Sequence, residues 1–116
     1  MSFLKMLYSK GSLKRKIFDI KDDIEKTIKP LCKEKFRIEW YGAYDIGPKN
    51  LVFWICVESD KMKSSFESDV TLMKQLRDLL DKYDYPLEAR PHVVIGYESQ
   101  ETVDRESNGN WYDHFK

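Results

Sequence analysis

The chain has 116 residues, of which 41% are hydrophobic, 14% aromatic and 34% charged, with 20 Lys/Arg balancing 20 Asp/Glu. That length fits one domain, residues 1–116, with one modest core burying about two thirds of the unfolded chain's surface, and this apolar content excludes disorder as the default state. A formal net charge of zero excludes a global pull toward nucleic acid or membrane, and no apolar run approaches the roughly 18 residues of a membrane helix.

The charge is unevenly spread. Residues 1–37 hold eleven Lys/Arg against five Asp/Glu, and residues 38–116 hold nine against fifteen. Such asymmetry points to a dipolar surface. The start carries Phe3, Leu4, Met6, Leu7 and Tyr8 before Gly11. It has neither the long apolar stretch nor the cleavage site of a signal peptide. It reads as an extra helical turn, a flexible arm, or an arm that makes a homo-oligomer.

Residues 13–29 read as a helix. Leu13, Ile17, Ile20, Ile24 and Ile28 recur at three- and four-residue steps between charged residues. Ser12 suits the N-cap and Pro30 the stop. The lysines of this helix are interrupted by Asp19, Asp22, Asp23 and Glu25, which disfavours a one-sided nucleic-acid stripe.

Phe36, Ile38 and Trp40 alternate with Arg37, Glu39 and Tyr41, the period of a half-buried strand. Residues 42–50 read as a loop. Residues 51–57 are unbroken apolar, as in an interior strand covered on both faces, and are expected to pair antiparallel with the first strand. A helix follows over 60–83, started by Ser59 or Asp60 and interrupted near 64–68. Its clearer half carries Val70, Met73, Leu76, Leu80 and Tyr83 on one face. Residues 91–97 are a third strand, joined to the second by a parallel crossover. Ser99 then caps a short helix over 100–106, the Asn108-Gly109 turn follows, and residues 110–115 are expected to return as a fourth, edge strand. The expected fold is α+β, in the order α-β-β-α-β-α-β, with helices packed on a mixed four-stranded sheet.

Few residues offer chemistry. Cys32 and Cys56 lack a CxxC partner and read as free thiols of a reducing cytosol. His92 and His114 have no second ligand at a metal spacing. The scattered glycines form no phosphate-binding loop. No metal and no cofactor is therefore expected. Glu98, Glu101, Asp104 and Glu106 place four carboxylates within nine residues, and Trp111, Tyr112 and Phe115 follow. They lack the pattern of a calcium loop. Glu101 and Arg105, four apart, can pair along a helix. Among the aromatics, Tyr41, Tyr44, Trp111 and Tyr112 are those expected to be half exposed. Large aromatics rimmed by acids are the composition of a protein-recognition surface.

The tail ESQETVDRESNGNWY at 98–112, following a strand and a mid-chain helix, resembles small bacterial immunity-type proteins of polymorphic or contact-dependent toxin systems. The resemblance implies a cytoplasmic, non-enzymatic binding protein that occludes a toxin. An acidic face suits a basic toxin domain such as a nuclease. The expected partner-binding residues are Glu98, Glu101, Asp104, Glu106, Trp111 and Tyr112, with no catalytic residue. Two alternatives come from other parts of the chain. One is a small enzyme with His92 and Glu98 as acid/base groups on one strand face. The other is a structural homo-oligomer built on residues 3–8.

Overall fold

The computed structural model describes residues 8, 9, 11–42 and 46–115. Of the segment 3–8 expected as a self-interface, residues 3–7 lie outside the described residues, as does Tyr44, while the Tyr8 ring stacks on Phe18 at 5.9 Å. Within them the order is α1 (Leu13–Ile28), β1 (Arg37–Tyr41), β2 (Val52–Val57), α2 (Asp60–Glu67), α3 (Val70–Lys82), β3 (Val94–Ser99), α4 (Gln100–Ser107) and α5 (Trp111–His114). Short 3-10 turns occupy Lys29–Leu31, Pro48–Asn50 and Arg90–His92.

The sheet has three strands in the order β1-β2-β3. β1 runs antiparallel to β2 with Ile38 opposite Ile55, and β2 runs parallel to β3 with Trp54 beside Gly96 and Cys56 beside Glu98. The sheet is therefore mixed and the fold α+β, with β2 in the interior. The expected fourth strand is absent among the described residues: Trp111–His114 form a one-turn helix instead. The reason is local. Asn110 accepts a hydrogen bond from the backbone N–H of Asp113 and caps the turn, and the residues that meet the body are Trp111, His114 and Phe115, a helical rather than an alternating spacing.

The side chains of β1–β3 divide cleanly between two faces. Ile38, Phe53, Ile55, Val57, Ile95 and Tyr97 share the face covered by α1 and α3. Ile17, Ile20, Ile24 and Ile28 of α1 and Leu76 of α3 are fully buried there. Burial of this apolar stripe, at about 25 cal/mol for each Å² removed from water, is the main term holding this half together. Phe18 packs edge-on to Trp40 at 5.8 Å and extends that cluster to the β1 edge.

The opposite face carries Arg37, Glu39, Tyr41, Trp54, Gly96 and Glu98, and α5 lies across it. The Phe115 ring stacks on Trp54 with centroids 4.7 Å apart. Trp54 lies so close over β3 that a Cβ on Gly96 would sit 2.5 Å from its ring. A side chain at 96 would thus displace the platform on which α5 rests. Gly109 at φ +79° and Asn108 at φ 51° turn the chain from α4 back onto this face.

Helix starts follow the expected polar caps. Ser12, Ser59 and Ser99 accept from the backbone N–H groups of Arg15, Met62 and Thr102. The interruption expected near 64–68 falls at Ser68 and Asp69, where α2 ends and Asp69 caps α3.

Candidate functional site

The carboxyl ends of the parallel strands β2 and β3 each lead into a capped helix, and a polar network ties the two together. Glu34 accepts from the backbone N–H groups of Glu58 and Ser59 at 2.9 and 2.8 Å and from the Ser59 hydroxyl. Asp60 accepts from the hydroxyls of Ser99 and Thr102 and from Arg105 at 2.9 Å. Hydrogen bonds from Ser99, then Thr102 and Arg105, hold the Asp60 carboxyl far below its ordinary range. Arg105 thus pairs with Asp60 rather than with Glu101. Glu101 instead accepts from the backbone N–H of Asp60 at 2.7 Å. Each helix N-terminus is already filled by this chain's own acceptors.

Glu98 sits beside this network at the end of β3 and is 8% exposed. It accepts from Lys63 Nζ at 2.8 Å, from His114 Nε2 at 2.8 Å and from the backbone N–H of Ser99 at 2.9 Å. Burial pushes its pKa up, but the hydrogen bonds from Lys63, His114 and Ser99 prevail and hold the carboxyl below its ordinary value. His114 also meets the Ser107 hydroxyl through Nδ1 at 3.1 Å. Both ring nitrogens are therefore engaged, and the imidazole bridges α4, α5 and β3.

Ser, His and a carboxylate in contact are the residue types of acyl transfer. Here the three join α4, α5 and β3, and Ser107 is half-buried. Among the described residues no group of His, Cys, Asp or Glu could hold a metal ion. His92 is exposed in the turn Arg90–His92, ahead of β3. Glu98 lies near the far end of that strand, roughly 13 Å of extended backbone from its first residue. The structure therefore does not bring His92 and Glu98 together.

The other expected contact residues separate by exposure. Glu101, Asp104 and Glu106 are exposed on α4. Asp104 accepts from Gln100 at 2.8 Å. Trp111 is half-buried: its Nε1 donates to Gln100 at 2.7 Å and the Arg37 guanidinium lies over its ring at 4.5 Å. Tyr112 is 77% exposed. Together with Arg37, Glu39, Tyr41, Trp111 and Phe115, it lines a groove of about 480 Å³ along the β1 edge. Tyr41 is partly exposed as expected, and its hydroxyl accepts from Trp54 Nε1 at 2.9 Å.

Two residues of this groove were not among those singled out for binding. Phe115 reaches the groove only because 111–115 is helical, and the Asn110 cap was the signal for that. The Arg37–Trp111 stack joins residues far apart in sequence and has no local signature. Cys56 is buried, and burial raises its thiol to about 12, which disfavours the thiolate. Among the described residues no helix is long and apolar enough to cross a membrane. No protein-family model, curated protein or solved structure matches the chain.

Proposed function

We propose that the chain is a cytosolic protein-binding module of the immunity type, which captures a basic protein, in the first instance a toxin domain, through the surface formed by α4 and α5. The observation that carries this reading is Tyr112. It is a large aromatic, 77% exposed, on the rim of an aromatic-walled groove and on the helix that follows the exposed carboxylates of α4. Aromatic side chains bring large contact area at little cost in side-chain entropy. Acidic neighbours such as Asp104 and Glu106 would speed encounter with a cationic partner and select against anionic ones.

In this reading the contact set is Glu101, Asp104, Glu106, Tyr112 and the groove residues Tyr41 and Phe115. Glu98 and Trp111 support it from below. Glu98 fastens α5 to β3, and Trp111 forms a wall under the Arg37 guanidinium.

Affinity capture by the tagged chain, co-expressed with the products of neighbouring genes, tests the proposal. One basic protein held in stoichiometric amount by the wild type and lost by Tyr112→Ala, with unchanged thermal unfolding, is the expected result. Truncating a central aromatic contact costs about 2 kcal/mol of binding, or roughly thirtyfold in Kd. Retention by Tyr112→Ala and by Asp104→Asn with Glu106→Gln would remove this surface from the account.

A further inference from the structure

At the other edge of the sheet a second groove, of about 700 Å³, lies between β3 and the corner where α2 meets α3. We propose that this groove binds an extended basic peptide segment, with its arginine or lysine side chains directed to Glu67 and Asp69. The reading stands independently of the α4–α5 surface.

Charge and polarity choose the occupant. One lysine against three carboxylates line the groove, a formal balance of −2: Lys63 against Glu67, Asp69 and Glu98. Lys63 and Glu98 already satisfy each other at 2.8 Å, which leaves Glu67 and Asp69 as the exposed acids of the groove. Asp69 uses one oxygen, Oδ1, to cap α3 by accepting from the Leu72 N–H at 2.9 Å, and a carboxylate has a second oxygen to offer. Between these acids and the strand lies apolar surface. Val70 is 80% exposed, Met73 and the buried Ile95 line the groove on the α3 side of β3, and Trp54 lines it from the other face. An aliphatic stem on apolar surface with its charged head at a carboxylate is how lysine and arginine side chains bind.

Tyr97, also in the groove wall, supplies an independent observation. It is 6% exposed, and its hydroxyl is buried without a hydrogen-bond partner among the described residues. Burial, then the negative charge of Asp69 and Glu67, pushes that hydroxyl up to about 12. A buried polar group left unpaired costs stability that a ligand donor or acceptor would restore.

Strand geometry suits an extended occupant. The backbone N–H of Val94 donates to Leu51 across to β2, so the peptide groups of Val94, Gly96 and Glu98 face β2. Those of Ile95 and Tyr97 face the open edge. A second copy of this chain is the wrong partner, because two β3 edges brought together would set Glu67 and Asp69 against their own counterparts.

Titrating the 15N-labelled chain with the capped pentapeptides VRVRV and VQVQV tests the site. Amide shift changes at 67–73 and 95–97 with VRVRV, weakening as salt rises, are expected. The neutral peptide should bind about tenfold more weakly. Glu67→Gln combined with Asp69→Asn removes both charges while keeping a side-chain oxygen to cap α3, and should bring VRVRV down to the VQVQV affinity. Tyr97→Phe should keep the fold and lose roughly threefold in affinity. Tyr112→Ala should change nothing here, so failure of the α4–α5 reading and failure of this one are told apart. Equal binding of the two peptides, shift changes confined to other surfaces, or a concentration-dependent dimer that protects 95–97 would each overturn the proposal.

Discussion

The two faces of the sheet are held by different physics. On the α1–α3 face, the buried contacts with the sheet are apolar, non-directional and repeated along two helices, with a polar clasp of Lys82 and Tyr83 on Asp23 at the rim. On the α5 face, a single helical turn is held by particular pairs: Phe115 on Trp54, Trp111 under Arg37, and His114 with Lys63 on Glu98. Loss of one methyl group matters modestly anywhere on the first face. Loss of one carboxylate on the second releases several partners together. Stability of the body and order of the proposed binding surface are therefore separable properties of this chain.

The largest expected break is on the first face. Leu76 is fully buried at the centre of the α3 stripe, and Leu76→Ala leaves a cavity where α1, α3 and the sheet meet. A loss of about 3 kcal/mol is expected, read as a lowered urea midpoint with an unchanged slope. If the loss is below about 1 kcal/mol, this site relaxes freely and the face is not close-packed.

How much of this was legible follows the same division. The α1 stripe of four isoleucines, the alternation of 36–41, the apolar run of β2 and the serine caps are local patterns with fixed periods, and each element formed where its period placed it. The mixed sheet followed from the crossover length. The second face depends on pairs distant in sequence. Residues 110–115 are too short to show a period, and the helix is selected by the Asn110 cap together with the docking of Trp111, His114 and Phe115. Glu98 reads as one more surface acid, because nothing near it in sequence announces that Lys63 and His114 converge on it. His92 reads as a strand residue because Pro91 can begin a strand as well as a 3-10 turn.

A mid-sized effect tests the second face through pH. The folded-state pKa of Glu98 lies below its ordinary value of 4.5. The charged form is favoured in the folded chain, so its contribution is fully present above about pH 4.5 and is lost as pH falls through the lower folded value. Glu98→Gln should cost about 2 kcal/mol at pH 7, since Lys63 and His114 lose a charged acceptor. The gap between wild type and variant should shrink on acidification below about pH 4.5. Hydrogen exchange should quicken most in α5, where local opening adds to the global loss that α1 and α3 also feel. A gap that is constant with pH would show that Glu98 acts by shape and not by charge.

The smallest effect sharpens the comparison from the first face, where the Tyr97 hydroxyl is buried. Its ring packs near Phe66 at 5.5 Å, as an apolar residue would, but its buried hydroxyl has no partner among the described residues. Tyr97→Phe removes that oxygen and keeps the ring, so the apolar account of this face requires a neutral change or a gain of up to about 1 kcal/mol. Thermal unfolding of the two proteins at pH 7 decides the matter. A loss of more than about 1 kcal/mol would mean that the hydroxyl is satisfied in solution, by water entering from the β3 edge groove. In that case this face, too, would depend on a specific polar contact, and the line between the two halves of the molecule would have to be drawn at the edge of the sheet and not between its faces.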